Sequence, residues 1–318
     1  LKLTYDSDYP CIKLESSDPC RSVYGNQSIS GIRFDGDRTG LIAIGVSFRC
    51  NVHIYDCEFI NFNQGAAYFS GQLSDSFTLD NPYVVSQESV HSLMPDNNGW
   101  CTGNKFYNNL VLNCSASYPG GSYGSVYWGT QDGFEIYNNN IDCKERHGVG
   151  LKYWDLGYNK NSKIHHNDIE TDTYPFDCAI ESWFSLGGDE IYNNRIKGDI
   201  DINNAVDYYS VGYSIRIYNN NIGRNTTPMT LERGILLEGT CEYLQIYKNN
   251  IHHVAKAIYF LRNNTGGIDR LYNININTNL MSNLGQSGTD LQTWGIECSD
   301  IMSNEGTLEN VKIQNNII

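Results

Sequence analysis

Six short segments, HGVGLKYW, CAIESWF, GDIDINN, RGILLEG, KAIYFL and WGIEC, share an alternating pattern and carry the residues best suited to acid–base chemistry. They align on the apolar residues Val149, Ile180, Ile200, Ile235, Ile258 and Ile296. The next column then reads Gly150, Glu181, Asp201, Leu236, Tyr259 and Glu297, and the one two residues on reads Lys152, Trp183, Asn203, Glu238, Leu261 and Ser299. Side chains alternate across an extended strand, so both columns face away from the aligned apolar residues. If the segments are neighbouring parallel strands, Glu181 and Asp201 lie about 4.8 Å apart. Close like charges raise one carboxyl pKa, which suits a general acid beside a base, and about 5 Å is the separation used by retaining glycosidases. Lys152, Glu181, Asp201 and Glu238 form the candidate catalytic set. Trp183 offers a face for a sugar ring, with Asn203 and Tyr259 as further substrate contacts. The plainer alternative is that an outward face is polar because it is wet.

These segments need a scaffold that repeats, and the sequence supplies one. The phrase IYNNNI at Ile136 returns at Ile217, with close copies at Ile191 and Ile246. Written as apolar, two residues, Asn, any residue, apolar, the pattern also starts at Phe106, Ile164, Ile276 and Ile313, and more weakly at Ile54. Successive starts after Phe106 lie 30, 28, 27, 26, 29, 30 and 37 residues apart. That spacing is too long for hairpins and too regular for unrelated loops, so each unit is read as one coil of a solenoid. The fourth position is Asn109, Asn139, Asn167, Asn194, Asn220, Asn249, Asn279 and Asn316, with Cys57 in the Ile54 copy. Asn tolerates the left-handed backbone of a sharp bend and can bond to the Asn one coil away, so a ladder of asparagines is expected.

The repeats resemble the right-handed parallel β-helix of the pectin-lyase-like superfamily, whose coils of three short strands often stack Asn at one turn. The resemblance covers almost the whole chain and implies a single all-β domain over 1–318, with coils of about 26–30 residues. It implies little about activity, because that fold hosts lyases, hydrolases, epimerases, adhesins and tail fibres. In uronate lyases of this fold a Lys or Arg takes the proton, often beside calcium, and Lys152 is the one column residue of that type. The polygalacturonase signature is not matched: Arg195-Ile196-Lys197 lies in the Asn turn, and no adjacent aspartate pair occurs.

The opening segments CIKLES, ISGIRF and LIAIGV read as strands of less regular coils. The spacing of 52 from Ile54 to Phe106 fits one coil carrying a lateral loop near 73–96, with a smaller excursion at 285–292. The chain starts at Leu1 without Met and stops on a rung of the repeat at NNII, so a longer chain or a stacked assembly is expected.

Ten cysteines without a paired Cys-x-x-Cys motif point to disulfides, with Cys11–Cys20 and Cys50–Cys57 as local bridges. The sequons at Asn26, Asn113, Asn225 and Asn263 mark candidate glycosylation sites of a secreted or cell-surface protein. A formal net charge of −14 excludes a basic stripe for nucleic acid, and no stretch reaches a membrane-spanning length. His165-His166 and His252-His253 would point to opposite faces of an extended strand, so neither pair is expected to chelate a metal. No cofactor is expected; Ca²⁺ at acidic clusters such as Asp199 and Asp201 is the one open possibility. The expected function is an extracellular structural or adhesive β-helix, a surface module or filament subunit, partnered by carbohydrate or by itself through the solenoid ends. The alternative is a polysaccharide lyase, epimerase or glycoside hydrolase working in a groove along the outward columns.

Overall fold

The computed structural model describes residues 10–16, 24–71, 100–114, 124–143, 149–153, 158–171, 178–224, 233–261, 270–285, 294–298 and 307–318. The expected loop at 73–96 and the sequons at Asn225 and Asn263 lie outside these residues. So do Cys20, Ser299 and nearly all of the excursion at 285–292.

The described chain is strand and turn, wound so that every strand pairs in parallel with the equivalent strand one coil away. Three parallel sheets result, and a chain that keeps returning to a parallel neighbour winds right-handed. The first sheet holds the segments of the candidate site, from Ile12–Glu15 to Trp294–Glu297. The second runs from Tyr24–Ser30 to Lys312–Gln314 and carries the start of each repeated phrase. The third runs from Arg33–Asp35 to Leu280–Ser282 and carries the end of the phrase. Ile54 and Phe106 are partners on adjacent rungs although they stand 52 positions apart.

Burial follows the alternation. Ile136, Ile164, Ile191, Ile217, Ile246 and Ile276 stack inside the second sheet, and Ile141, Ile169, Ile196, Ile222 and Ile251 inside the third. Each such side chain contributes about 1.5–3 kcal/mol by leaving water. Outside the second sheet, Tyr55, Tyr107, Tyr137, His165, Tyr192, Tyr218 and Tyr247 form one column of stacked rings. Their centroids are 4.8 to 5.0 Å apart.

The turn between the second and third sheets holds the asparagine ladder. The Oδ1 of Asn194 accepts from both the backbone N–H and the side-chain Nδ2 of Asn167, each at 3.0 Å. Its own Nδ2 donates to Ile164 O at 2.9 Å and to Asn220 Oδ1 at 3.0 Å. The same set recurs along the column to Asn316, and at the other end Asn109 Oδ1 accepts from the Cys57 N–H at 3.0 Å. One expectation changes here. The left-handed residue is not the ladder Asn but the one before it, including Asn108, Asn138, Asn193, Asn219 and Asn315, with φ of 53–56°. The two asparagines of the phrase therefore divide the work: the first makes the bend and the second makes the bonds.

Two further expectations fail on geometry. Cys50 and Cys57 cannot bridge, because the extended strand Cys50–Tyr55 lies between them and separates them by about 20 Å, against about 7 Å at most for a disulfide. No disulfide is formed by the nine described cysteines, and Cys50 instead packs on Cys101. The paired histidines do not splay to opposite faces either. His166 and His253 have left-handed φ of 56° and 55°, which folds each ring back onto its neighbour, with Nδ1···Nδ1 distances of 2.8 and 2.9 Å.

Splitting the two Asn roles gives a test by chemical denaturation. Asn194→Ala or Asn220→Ala leaves buried partners unbonded and should cost about 1–3 kcal/mol. Asn193→Gly keeps the left-handed bend and should change stability by no more than about 0.5 kcal/mol. Equal effects of the Asn194 and Asn193 substitutions would sink this division of roles.

Candidate functional site

Within the first sheet the segments pair as Ile180, Ile200, Ile235, Ile258 and Ile296, the register read from the sequence. The strand Val149–Tyr153 differs: Leu151, not Val149, partners Ile180. HGVGLKYW contains two glycine-aliphatic pairs, and only the second matches Ala179-Ile180, Gly234-Ile235 and Ala257-Ile258 on neighbouring coils. The small residue of each pair turns a tight inner corner. A Cβ at Gly150 would lie 2.7 Å from Ala179 O and 2.8 Å from Ile169 Cγ2. The correction moves Lys152 into the same column as Glu181 and takes Gly150 out of it.

The column now reads Tyr68, Tyr127, Lys152, Glu181, Asp201, Leu236, Tyr259 and Glu297. Beside it run Trp183, Asn203, Glu238 and Leu261. Of the residues singled out from the sequence, Lys152, Glu181, Asp201, Trp183, Asn203 and Glu238 are brought together. Tyr259 stands two rungs from Asp201, beyond Leu236, with the Lys256 ammonium 3.9 Å from its ring centre.

This face is not wet. Lys152 is 1% exposed, Glu181 8%, Asp201 7% and Asn203 0%. Lys152 Nζ lies 3.0 Å from Glu181 Oε2, and the Trp183 indole N–H donates to Glu181 Oε1 at 2.6 Å. Asp201 on the next rung has different company. Its Oδ2 meets the Cys178 thiol at 3.7 Å, and its buried Oδ1 has no hydrogen-bond partner. Burial raises the Asp201 carboxyl well above its ordinary pKa, aided by the charges of Glu238, Glu181 and Asp199. Burial also raises Glu238, against the opposing Arg233 charge and a 3.0 Å bond from Asn203 Nδ2. Two adjacent carboxyls thus differ in kind, one tied to an ammonium and an indole, the other inclined to keep its proton.

Three participants were absent from the catalytic and substrate set read from the sequence, where Asp199 entered only as part of an acidic cluster for Ca²⁺. Asp199 fills the corner position where other coils place Ala or Gly; it is buried, bonded to Arg233 at 3.1 Å, and raised by desolvation. That break in the small-residue column was the available signal. Cys178 carries a thiol held well above its usual pKa by burial and then by Asp199, Asp201 and Glu181. Phe184 has a φ of 58°, which bulky residues rarely adopt. It packs outside the coil with Trp100, Tyr158 and Leu186 and against Trp183, so the Trp183 ring is buttressed from one side while its indole N–H holds Glu181.

Among the described residues no cluster of three or more His, Cys, Asp or Glu could hold a metal ion, and no helix is long and apolar enough to cross a membrane. No family model matches the sequence, and no curated protein matches it. A solved structure similar to this chain is the tailspike protein gp49 from Pseudomonas phage LKA1, with a TM-score of 0.40 and 11% identity. The alignment covers 91% of this chain and 50% of that one, so the chain spans half the length of the tailspike chain. Likeness at this level carries no argument about activity, and the architecture rests on the chain's own three parallel sheets.

The raised carboxyls make stability depend on pH with a definite sign. Asp201, Asp199 and Glu238 keep protons in the folded state that the unfolded chain releases above about pH 4. Their contribution is complete below that pH and is lost as pH climbs through the folded values. The melting temperature should fall as pH rises above about pH 4, and Asp201→Asn, which cannot ionise, should flatten that fall and melt higher than the parent at the upper end. A variant that melts lower than the parent at both ends would contradict the buried, proton-holding Asp201.

Proposed function

We propose that the chain is an extracellular or surface β-helix that binds glycan across the first sheet and cleaves glycosidic bonds there. The observation that carries this reading is the contrast between Asp201 and Glu181. Asp201, protonated and with one oxygen unpartnered, would donate to the leaving oxygen. Glu181, paired with Lys152 and Trp183, would act from the neighbouring rung as nucleophile or base. Their strands are about 4.8 Å apart, near the about 5–5.5 Å carboxyl separation of retaining enzymes. Trp183 and Asn203 would orient the sugar, with Tyr259 at a more distant subsite, and burial would hold the Asp201 proton in place. This chemistry requires no cofactor or calcium. Secretion is supported by the exposed Asn26 of one sequon; the Asn113 sequon is half-buried.

A structural or adhesive role without turnover is the second reading, favoured by the near-complete burial of Lys152 and Asn203. Reducing-end release over a glycan panel separates the two. Cleavage is expected in the parent, with loss of about 10²-fold or more in Glu181→Gln and in Asp201→Asn. Binding that survives without product, weakened by Trp183→Ala, would establish the adhesive reading instead. An active Glu181→Gln, Asp201→Asn double variant would remove these residues from the chemistry.

Self-association belongs to the same proposal. Ile313, Ile317 and Ile318 are exposed on the last described coil, where an open strand edge can pair with another copy. Sedimentation should show association that Ile317→Lys with Ile318→Glu reduces; equal monomers for both would count against stacking through this end.

A further inference from the structure

One coil departs from its neighbours at two successive positions of the repeated phrase. Where Tyr107-Asn108, Tyr137-Asn138, Tyr192-Asn193 and Tyr218-Asn219 place a ring of the outer column followed by a left-handed Asn, this coil has His165-His166. Neither role needs histidine, since Tyr and Asn fill both on the coils to either side. His165 keeps its place in the column, its ring centre 5.0 Å from that of Tyr137 and 4.8 Å from that of Tyr192. The two flanking rings hold its plane. His166 makes the bend, with φ of 56°, and its ring stands at 87° to that of His165. On a continuing strand the two side chains would leave on opposite faces. Here the bend sets Nδ1 2.8 Å from Nδ1.

The outer nitrogen of His165 decides what its inner nitrogen can do. His165 Nε2 lies 3.2 Å from Glu135 Oε1, so its proton is held there and Nδ1 presents a lone pair. A carboxylate behind the far nitrogen is the arrangement that orients a metal-ligating imidazole and raises its basicity. Glu135 is steadied in turn by Lys105, 2.6 Å from its Oε2. His166 donates its Nδ1–H to His165, and its Nε2 lies 3.4 Å from the side-chain nitrogen of Asn193. His166 is exposed, so its proton can pass to Nε2 through water, and a half-turn of the Asn193 amide then offers an oxygen to receive it. That tautomer leaves two lone pairs at one corner with no net loss of a proton.

The spacing selects the ion. Two nitrogens each about 2.0 Å from a metal and at right angles around it are about 2.8 Å apart, whereas a tetrahedral ion holds them about 3.3 Å apart. Imidazole nitrogens in tetragonal geometry suit Cu²⁺. We infer that His165 and His166 chelate one Cu²⁺ ion through their Nδ1 atoms, with Glu135 as the positioning residue behind His165 and water completing the tetragonal set. His252 and His253 repeat the geometry with Nδ1···Nδ1 of 2.9 Å, but the group behind His252 Nε2 is the neutral Asn221 amide oxygen at 3.0 Å. That pair is the weaker site. Neither pair shares a residue with the glycan-cleaving reading of the first sheet, and the inference stands without it.

Titration of the full chain with Cu²⁺ alone, followed by calorimetry and by electron paramagnetic resonance, tests the inference. The tightest site should take one ion per chain, and its spectrum should report a tetragonal ion with two imidazole nitrogens. Zn²⁺ should bind there more weakly by about tenfold or more. His165→Tyr and His166→Asn copy the neighbouring coils, so each keeps the fold, and each should weaken the tight site by about 100-fold or more. Glu135→Gln, which removes no ligand, should weaken it by about tenfold to 100-fold. His253→Asn should leave it unchanged. A parent that binds no Cu²⁺, a tight site that survives His165→Tyr or His166→Asn, one lost instead in His253→Asn, a spectrum with fewer than two nitrogens, or an unchanged affinity in Glu135→Gln would each overturn the inference.

Discussion

A buried primary amide tolerates no missing partner, and this protein places one in nearly every coil. Each ladder Asn is satisfied only when the coils before and after it stand at the correct height and phase, because its oxygen looks one way along the axis and its nitrogen both ways. Leaving such a group unbonded costs about 1–3 kcal/mol, and the cost recurs at every rung that slips. The ladder thus fixes register for the isoleucine stacks beside it. Through the rigid coil it also fixes which outward residues meet on the first sheet.

That dependence explains why the fold was readable and the site only partly so. The ladder demands one residue type at one position, so Asn109 to Asn316 stand out in the sequence without any structure. From Ile180 to Ile296 the outward columns were equally legible, because each segment offers a single small-aliphatic corner. Val149–Tyr153 offers two, and pattern alone cannot decide between Gly148-Val149 and Gly150-Leu151. Contact with Ala179 and Ile169 decides it. Burial of the outward face was beyond reach, since alternation states direction and not what lies above the sheet.

The histidine pairs and cysteines failed for a local reason. A strand rule was applied to His166 and His253, which occupy left-handed positions at strand ends, and a spacing rule to Cys50 and Cys57, which bracket an extended strand. In both cases the missing quantity was a backbone dihedral or a rise per residue, not a residue type. Asp199 shows the converse. Its departure from the Ala and Gly of the corner column was visible in the letters, but the column had first to be recognised as a constraint.

The amide column also has a direction. From Asn109 to Asn279 each side-chain nitrogen donates to the Asn oxygen of the coil after, and these seven links align the amides head to tail. Aligned peptide dipoles sum, and hydrogen-bonded groups in series polarise one another. The solenoid axis is therefore electrically vectorial along this edge, with carbonyl character facing the Cys57 coil and amide-hydrogen character facing away from it at Asn316.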